Sequence, residues 1–426
     1  MIRVVVSLYP RNLRNLTVIL LLLLCSFSAI LPILASVGFQ GISSYGKVKY
    51  NAFIKVIQQL NGTWLFIDGD GELFYSLGVT AVRYDNRPYY KENVTAKYGS
   101  LDTWGIATVE RLKSWGFNTL GCWSQNEVIH EGLPHTTIVD IGMYAHNHGI
   151  LLNRFNVPDV FDPRWSTLAD QAARSLITSN QVNDEFLIGY FIANDFFIAR
   201  WSPVQSDEHN EAMLKDDIDK LLVDQVDTDP AKARLIALNY DYHEWLTEYA
   251  ELYYKTVCDA IRSVDPNHLI LGSRGLSIYL PEEDLKGQKY CDVVSINFYE
   301  YLQYPLDFQE ATIRQLQNYY NWSGRPIIIG EWSVRSKECD LDVTNVVGIG
   351  PIVDTQNQRG EYYNKTLSDI SCLHFVVGMH WFMWTDKMVG GENSNYGLVN
   401  VNDDPYSFIS DVYASNMAVL SARTFS

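Results

Sequence analysis

Two carboxylates of this chain stand where apolar, β-branched runs come to an end. Glu331 closes PIIIGEW (326–332), and Asp195 follows Asn194 at the end of FLIGYFIAND (186–195). Runs of that composition read as short buried strands. At the ends of similar runs stand Arg83, Trp123, Asn153, Arg274, Asn297, Tyr299, Trp332, Trp381 and Trp384. Paired carboxyls with amides, a phenol and several indoles form the set that cleaves glycosidic bonds. One carboxyl protonates the departing oxygen while the other attacks the sugar carbon or directs water, and flat aromatic faces carry sugar rings. The sequence holds no G-x-S-x-G elbow and no H-E-x-x-H run, which disfavours hydrolases built on those. It also lacks a C-x-x-C pair and a D-x-D-x-D-G loop, so neither a metal nor a cofactor is expected.

Such residues need a frame. Strand-like runs recur at 74–82, 117–124, 149–155, 186–197, 268–275, 291–300, 326–332 and 374–386. Helical patterns fill the intervals, among them 102–115, 139–148, 163–179, a long stretch from 211 to 264, 308–320 and 358–370, and 406–420 closes the chain. Eight strands alternating with helices predict an α/β fold, a (β/α)8 TIM barrel over 74–426, with its functional residues at strand carboxyl ends. A doubly wound open sheet would usually show a Gly-rich phosphate turn after its first strand, and none is present. Ahead of the barrel, 40–73 reads as a meander turning at Asn61-Gly62 and Gly69-Asp70-Gly71. A segment that short cannot build its own core, so it is expected to pack as a small β-cap on the barrel floor.

Hydrophobic residues make up 47% of the chain and aromatics 13%, enough for a large cored domain with a small appendage. The formal charge of −17 argues against nucleic acid and anionic membranes as partners. Residues 1–35 stand apart, with Arg3, Arg11 and Arg14 preceding an uncharged apolar run over 16–35. That pattern reads as a secretory signal peptide, and its length would serve equally as an uncleaved membrane anchor. Both readings place the remainder outside the cytoplasm, secreted or held at the cell surface. Sequons at Asn61, Asn93, Asn321 and Asn364 fit an exported glycoprotein. Disulfides are permitted there, but the five cysteines after Cys25 name no partners. No pattern speaks to the oligomeric state.

In its ordered blocks the chain resembles the clan A glycoside hydrolases, and most of all family 50, the β-agarases. The resemblance runs from Phe74 to near Phe408. Its most specific stretch is GMHWFMWTDKMVGGENSNYGLVNVNDDPY (378–406), close to the family's GCHWFQ–D–GENSN–G–V–D–PY run. FYSLGV, WGFNTLGCWS, PDVFDPRW (158–165), VDPNHLILGSRG (264–275), SINFY and DTQNQRGEYY (354–363) are further blocks. The resemblance implies a retaining hydrolase of β-linked, galactose-containing oligo- or polysaccharides such as agarose. It places the nucleophile at Glu331 and the acid/base at Asp195, with Asn194 on the sugar 2-hydroxyl. It also implies that Tyr299 holds the nucleophile and that Trp381 or Trp384 is the strand-eight platform.

Asp195 departs from the family's Asn-Glu pair. One methylene fewer withdraws the carboxyl by ~1.5 Å, and a misplacement of about 1 Å can cost ~100-fold in rate. The competing reading is therefore a cell-surface carbohydrate-binding protein whose catalysis has weakened. Trp123, His380, Glu392 and Arg274 complete the expected substrate contacts. His380 reads equally as a packed core histidine and Glu392 as a residue ordering the GEN turn. For Arg274 a structural pair with a carboxylate is the stronger reading.

Overall fold

The computed structural model of the chain describes residues 52–424 apart from 155, 277–278 and 300–305. The leader-like segment and residues 40–51 of the expected cap lie outside the described residues. The chain first forms an antiparallel meander of β1 (Lys55–Gln58), β2 (Trp64–Ile67) and β3 (Leu73–Phe74). Its turns place Gly62 and Gly71 at φ 90° and 92°, a region open to glycine without steric cost. Ile54 and Phe66 are buried with Ile188, Leu269, Val293 and Ile328, at or near the amino ends of the larger sheet's strands.

That sheet has nine strands among the described residues. They are β4 (Ser76–Thr80), β5 (Thr119–Leu120), β6 (His135–Ile138), β7 (Leu187–Phe191), β8 (Leu269–Ile270), β9 (Gly275–Leu276), β10 (Val294–Asn297) and β11 (Ile327–Trp332). After a separate parallel pair, β12 (Arg335–Ser336) and β13 (Ile352–Val353), comes the ninth, β14 (Val376–Phe382). The order is β8-β7-β6-β5-β4-β14-β11-β10-β9, and every pairing is parallel. The strands at the two ends of that order belong to one stretch of chain, parted only by 271–274. Every residue of β7, β11 and β14 is buried, as expected of parallel strands covered on both faces.

Helices supply the cover. Helix Tyr242–Val264 is opened by the Asp241 side chain, which accepts from the Glu244 backbone N–H. It buries Trp245, Tyr249, Tyr253 and Val257, one stripe at helical spacing. The expected helix at 102–115 runs instead over Leu101–Ser114, because Ser100 rather than Asp102 caps it. No helix among the described residues is long and apolar enough to cross a membrane. The five cysteines there are unpaired, with Cys258 and Cys291 Sγ atoms 3.8 Å apart.

The third strand is not where the sequence pattern put it. It is His135–Ile138, ahead of the helix Ile141–Asn147, and 149–154 carries no strand. The β-branched run TTIV follows Pro134 and was masked by its polar threonines. Ile150 and Leu152 are apolar because they anchor a loop in the core, where Leu152 N–H donates to the Val157 carbonyl.

One glycine sets how closely β4 and β14 approach. A Cβ on Gly78 would lie 2.4 Å from Cδ2 of the buried His380 ring. Gly78→Ala should cost about 1–3 kcal/mol through overpacking. Urea denaturation should show this as a lower midpoint at unchanged slope.

Candidate active site

Four residues at the carboxyl edge of the main sheet have left-handed backbones without being glycine. Ala81 (φ 48°) follows β4, Trp123 (φ 63°) follows β5, Asp195 (φ 47°) follows β7, and Arg274 (φ 51°) sits between β8 and β9. Each such conformation costs about 1–3 kcal/mol, and residues held this way cluster where chemistry or binding needs a particular side-chain direction. All four surround the same place. A cavity of about 480 Å³ opens there, with Trp123, Asn194, Asp195, Tyr299 and Glu331 in its wall. That volume falls in the range of small-ligand sites.

Glu331 is the penultimate residue of β11 and is only 4% exposed. Arg274 Nη2 donates to its Oε1 and Tyr299 Oη to its Oε2, so each carboxylate oxygen has its own donor. Burial raises the Glu331 pKa above the ordinary carboxyl range and nearby Asp195 adds to this, while Arg274 and the Tyr299 hydroxyl oppose it. Burial also lifts the Tyr299 hydroxyl well above its usual value, which keeps it a proton donor. Arg274 is fully buried and lies over the rings of Phe191 and Trp123 at 4.7 and 4.8 Å. Its Nε donates to Asn194 Oδ1 at 2.8 Å and its Nη1 to the Gly330 carbonyl at 3.2 Å. With its oxygen held from behind, Asn194 has its Nδ2 amide free to donate elsewhere. Asp195, in contrast to Glu331, is exposed.

The structure thus gathers Asp195, Glu331, Asn194, Tyr299, Trp123 and Glu392 at one cavity. Glu392 is held by Lys387 Nζ at 2.7 Å. Arg274 does not line the cavity and instead braces Glu331 from beneath. That is the structural pair expected of Arg274, and His380 takes its packed-core reading, whereas Trp381 and Trp384 depart from expectation. Trp381 and Trp384 are both fully buried. The first donates to the Tyr396 carbonyl at 3.1 Å, and the second donates to Tyr90 Oη at 2.7 Å and stacks on Trp115. His380 lies inside the sheet with Nε2 2.9 Å from Ser76 Oγ. Burial, reinforced by Arg274, pushes its pKa down to about 3. Side chains alternate along a strand, so Trp381 faces the helix layer while its neighbours His380 and Phe382 face inward. Phe382, missed by the sequence reading, is the β14 aromatic at the cavity, together with Met383, Lys387 and Tyr396. Period-two counting on from His380 reaches it.

A parallel α/β sheet here gathers two carboxylates, an arginine, amides and a tyrosine at its carboxyl edge, a set able to act on glycosidic bonds. The chain is related to the β-agarases of glycoside hydrolase family 50. It is 24% identical over 380 residues to β-agarase A of Vibrio sp. (strain JT0107), a match covering 76% of this chain and 36% of that protein. β-Agarase B of the same strain matches at 24% over 372 residues, 75% of this chain and 37% of its own length. The chain therefore spans little more than a third of these curated relatives. The fold is that of the solved structure of an exo-β-agarase, with a TM-score of 0.70 at 21% identity, covering 92% of this chain and 69% of that one. No protein-family model matches the chain.

Two outcomes follow from this geometry. Selective ¹³C-carboxyl labelling should show Glu331 titrating above the ordinary glutamate value of ~4.3. In Tyr299→Phe the titration should move higher still, because a donor to the ionised form is gone. Among the β14 aromatics, Trp381→Ala should cost about 3–5 kcal/mol in a denaturant melt. Phe382→Ala should cost clearly less, since Phe382 borders the cavity.

Proposed function

We propose that the chain is a retaining glycoside hydrolase that cleaves β-linked, galactose-containing, agarose-like oligo- or polysaccharides by double displacement. The observation that carries this reading is the pairing of a buried, doubly hydrogen-bonded Glu331 with an exposed Asp195 on one cavity. Glu331 attacks the anomeric carbon as the glycosidic C–O bond breaks, and protonated Asp195 gives its proton to the departing oxygen. The glycosyl ester on Glu331 carries no charge, and Asp195, now ionised, takes a proton from the water that hydrolyses it. Arg274 and Tyr299 stabilise Glu331 as a carboxylate before attack and when it is released. Asn194 donates to the sugar 2-hydroxyl, and Trp123 and Phe382 flank the ring. The reading needs no metal or cofactor.

The frame in this reading is a closed (β/α)8 barrel with β8 and β9 as one strand. Support comes from backbone bonds on both sides of that stretch. Leu271 N–H donates to the Tyr190 carbonyl at 2.8 Å, and Val293 N–H donates to the Ile270 carbonyl at 3.1 Å. The β1–β3 meander covers the barrel floor, residues 1–35 export the chain, and its place is outside the cytoplasm.

One observation favours a second reading, a carbohydrate-binding protein with weakened catalysis. The acid/base position carries the shorter Asp, and a buried amide, Asn297, bonds its carboxyl. The purified protein should be assayed on agarose oligomers and a panel of β-linked aryl glycosides, with Glu331→Gln as the blank. Turnover that falls at least ~10³-fold in Glu331→Gln establishes the hydrolase. Nuclear magnetic resonance of the first-formed product should show retained anomeric configuration. Sugar binding without turnover, unchanged in Asp195→Glu, would favour the binder.

A further inference from the structure

Asn297, the last residue of β10, is fully buried and pairs in register with Glu331 on β11. Its side chain reaches the other way. Nδ2 lies 2.8 Å from Asp195 Oδ1 and 3.3 Å from Asn194 Oδ1. The amide orientation is dictated by these partners. Asn194 Oδ1 already accepts from Arg274 Nε, and a carboxylate oxygen only accepts, so Asn297 turned over would set oxygen against oxygen. One buried residue thus touches the candidate acid/base while sitting beside the candidate nucleophile.

Taking the hydrolase reading above as its basis, we propose that Asn297 is the positioning residue that makes the short acid/base usable. It fixes Asp195 Oδ1 and leaves Oδ2 as the oxygen that carries the exchanged proton. In the acid form Oδ1 is the carbonyl oxygen and Oδ2 bears the hydrogen. When the leaving oxygen takes that hydrogen, Oδ2 becomes the anionic oxygen that later accepts a proton from water. The bond from Asn297 survives both states, so one orientation serves both half-reactions. Asp195 needs such a brace. It is exposed, sits on a left-handed backbone, and would otherwise turn its carboxyl freely toward solvent. Because the brace stands in register with Glu331, both carboxyls are referenced to one strand pair, with neighbouring strands ~4.8 Å apart.

The test is a ladder of aryl β-glycosides of the sugar identified by the panel, from 2,4-dinitrophenyl to methoxyphenyl leaving groups. Dinitrophenolate departs without protonation, whereas methoxyphenolate needs the acid. The parameter is kcat/KM, which reports the first chemical step. In Asn297→Ala it should fall ~10–100-fold for poor leaving groups and stay within about threefold for dinitrophenyl, so its dependence on leaving-group pKa steepens. Asn297→Leu, of similar size and uncharged, removes the donor without leaving a large void and should steepen the dependence in the same way, whether or not the alanine variant folds. Equal loss along the whole ladder means that Asn297 only supports the fold, and no loss means that it does nothing for Asp195. Either result overturns the proposal while leaving the hydrolase reading intact. A wild-type protein that turns over no member of the ladder overturns both.

Discussion

The buried pair of Arg274 and Glu331 is the constraint on which the site depends. Taking both charges out of water is expensive, and the cost is recovered only if geometry and further hydrogen bonds are good. The structure meets that condition from several elements at once. β7 brings Asn194 to the Nε side of the guanidinium, β11 brings its own Gly330 carbonyl, and Phe191 and Trp123 stack on its faces. The Arg274 backbone N–H is held by Ser295 Oγ at 2.7 Å, so β10 fixes where the side chain starts. Removing one partner of such a pair typically costs about 3–5 kcal/mol because the other charge is left stranded. Fold and chemistry therefore place the same demand on these residues, and the left-handed Arg274 is tolerated because so many contacts over-determine it.

The long run 378–406, the most distinctive part of the sequence, acts mainly as a fastening. Asp386 is fully buried and accepts from Asn395 Nδ2, the Gly397 backbone N–H and Tyr406 Oη, at 2.9, 2.9 and 2.7 Å. Arg87 joins Asp386 to Asp340 and Asp342 of the loop after β12. Arg359, buried on the helix Gln356–Ser371, donates to the carbonyls of Val334, Asn395 and Gly397. These bonds shape the two loops that carry Ile349, Lys387, Glu392 and Tyr396 to the cavity wall. Residues conspicuous as a motif are thus mostly those that hold the wall, and a smaller number face the cavity.

This explains what could and could not be read from the sequence. Strand-end positions with a distinctive side chain after an apolar run, such as Glu331, Asp195 and Tyr299, were legible because parallel strands buried on both faces write continuous apolar runs. The third strand was not, because a four-residue strand rich in threonine looks like a loop while the apolar loop at 150–152 looks like a strand. Trp381 and Trp384 misled for another reason. Within a run buried on both faces, residue type no longer reports facing, and only position parity does. Large indoles at a strand end invite a binding role, yet two of them here fill the layer between sheet and helices. That Arg274 pairs with a carboxylate was read, but that the carboxylate is Glu331, and the reach of Asn297, depend on contacts between the ends of β7, β8, β10 and β11. Those are separations of many tens of residues, invisible to any local pattern.

The distribution of charge in the cavity narrows what it can receive. Two cations lie in its wall, and both are already engaged. Arg83 is paired with Asp85, its Nη2 2.7 Å from Oδ2, and Lys387 with Glu392 at 2.7 Å. Arg274, the third cation nearby, is buried behind the wall and committed to Glu331. What the cavity adds beyond these neutralised pairs is Asp195, since Glu331 is already matched by Arg274. A sulfated or carboxylated sugar would meet this excess negative charge and could be paired only by breaking an existing ion pair, whose carboxylate would then remain in the site. An uncharged sugar meets amides, hydroxyls and the faces of Trp123 and Phe382 with no such penalty. Under the proposed hydrolase reading, this charge balance suits a neutral glycan.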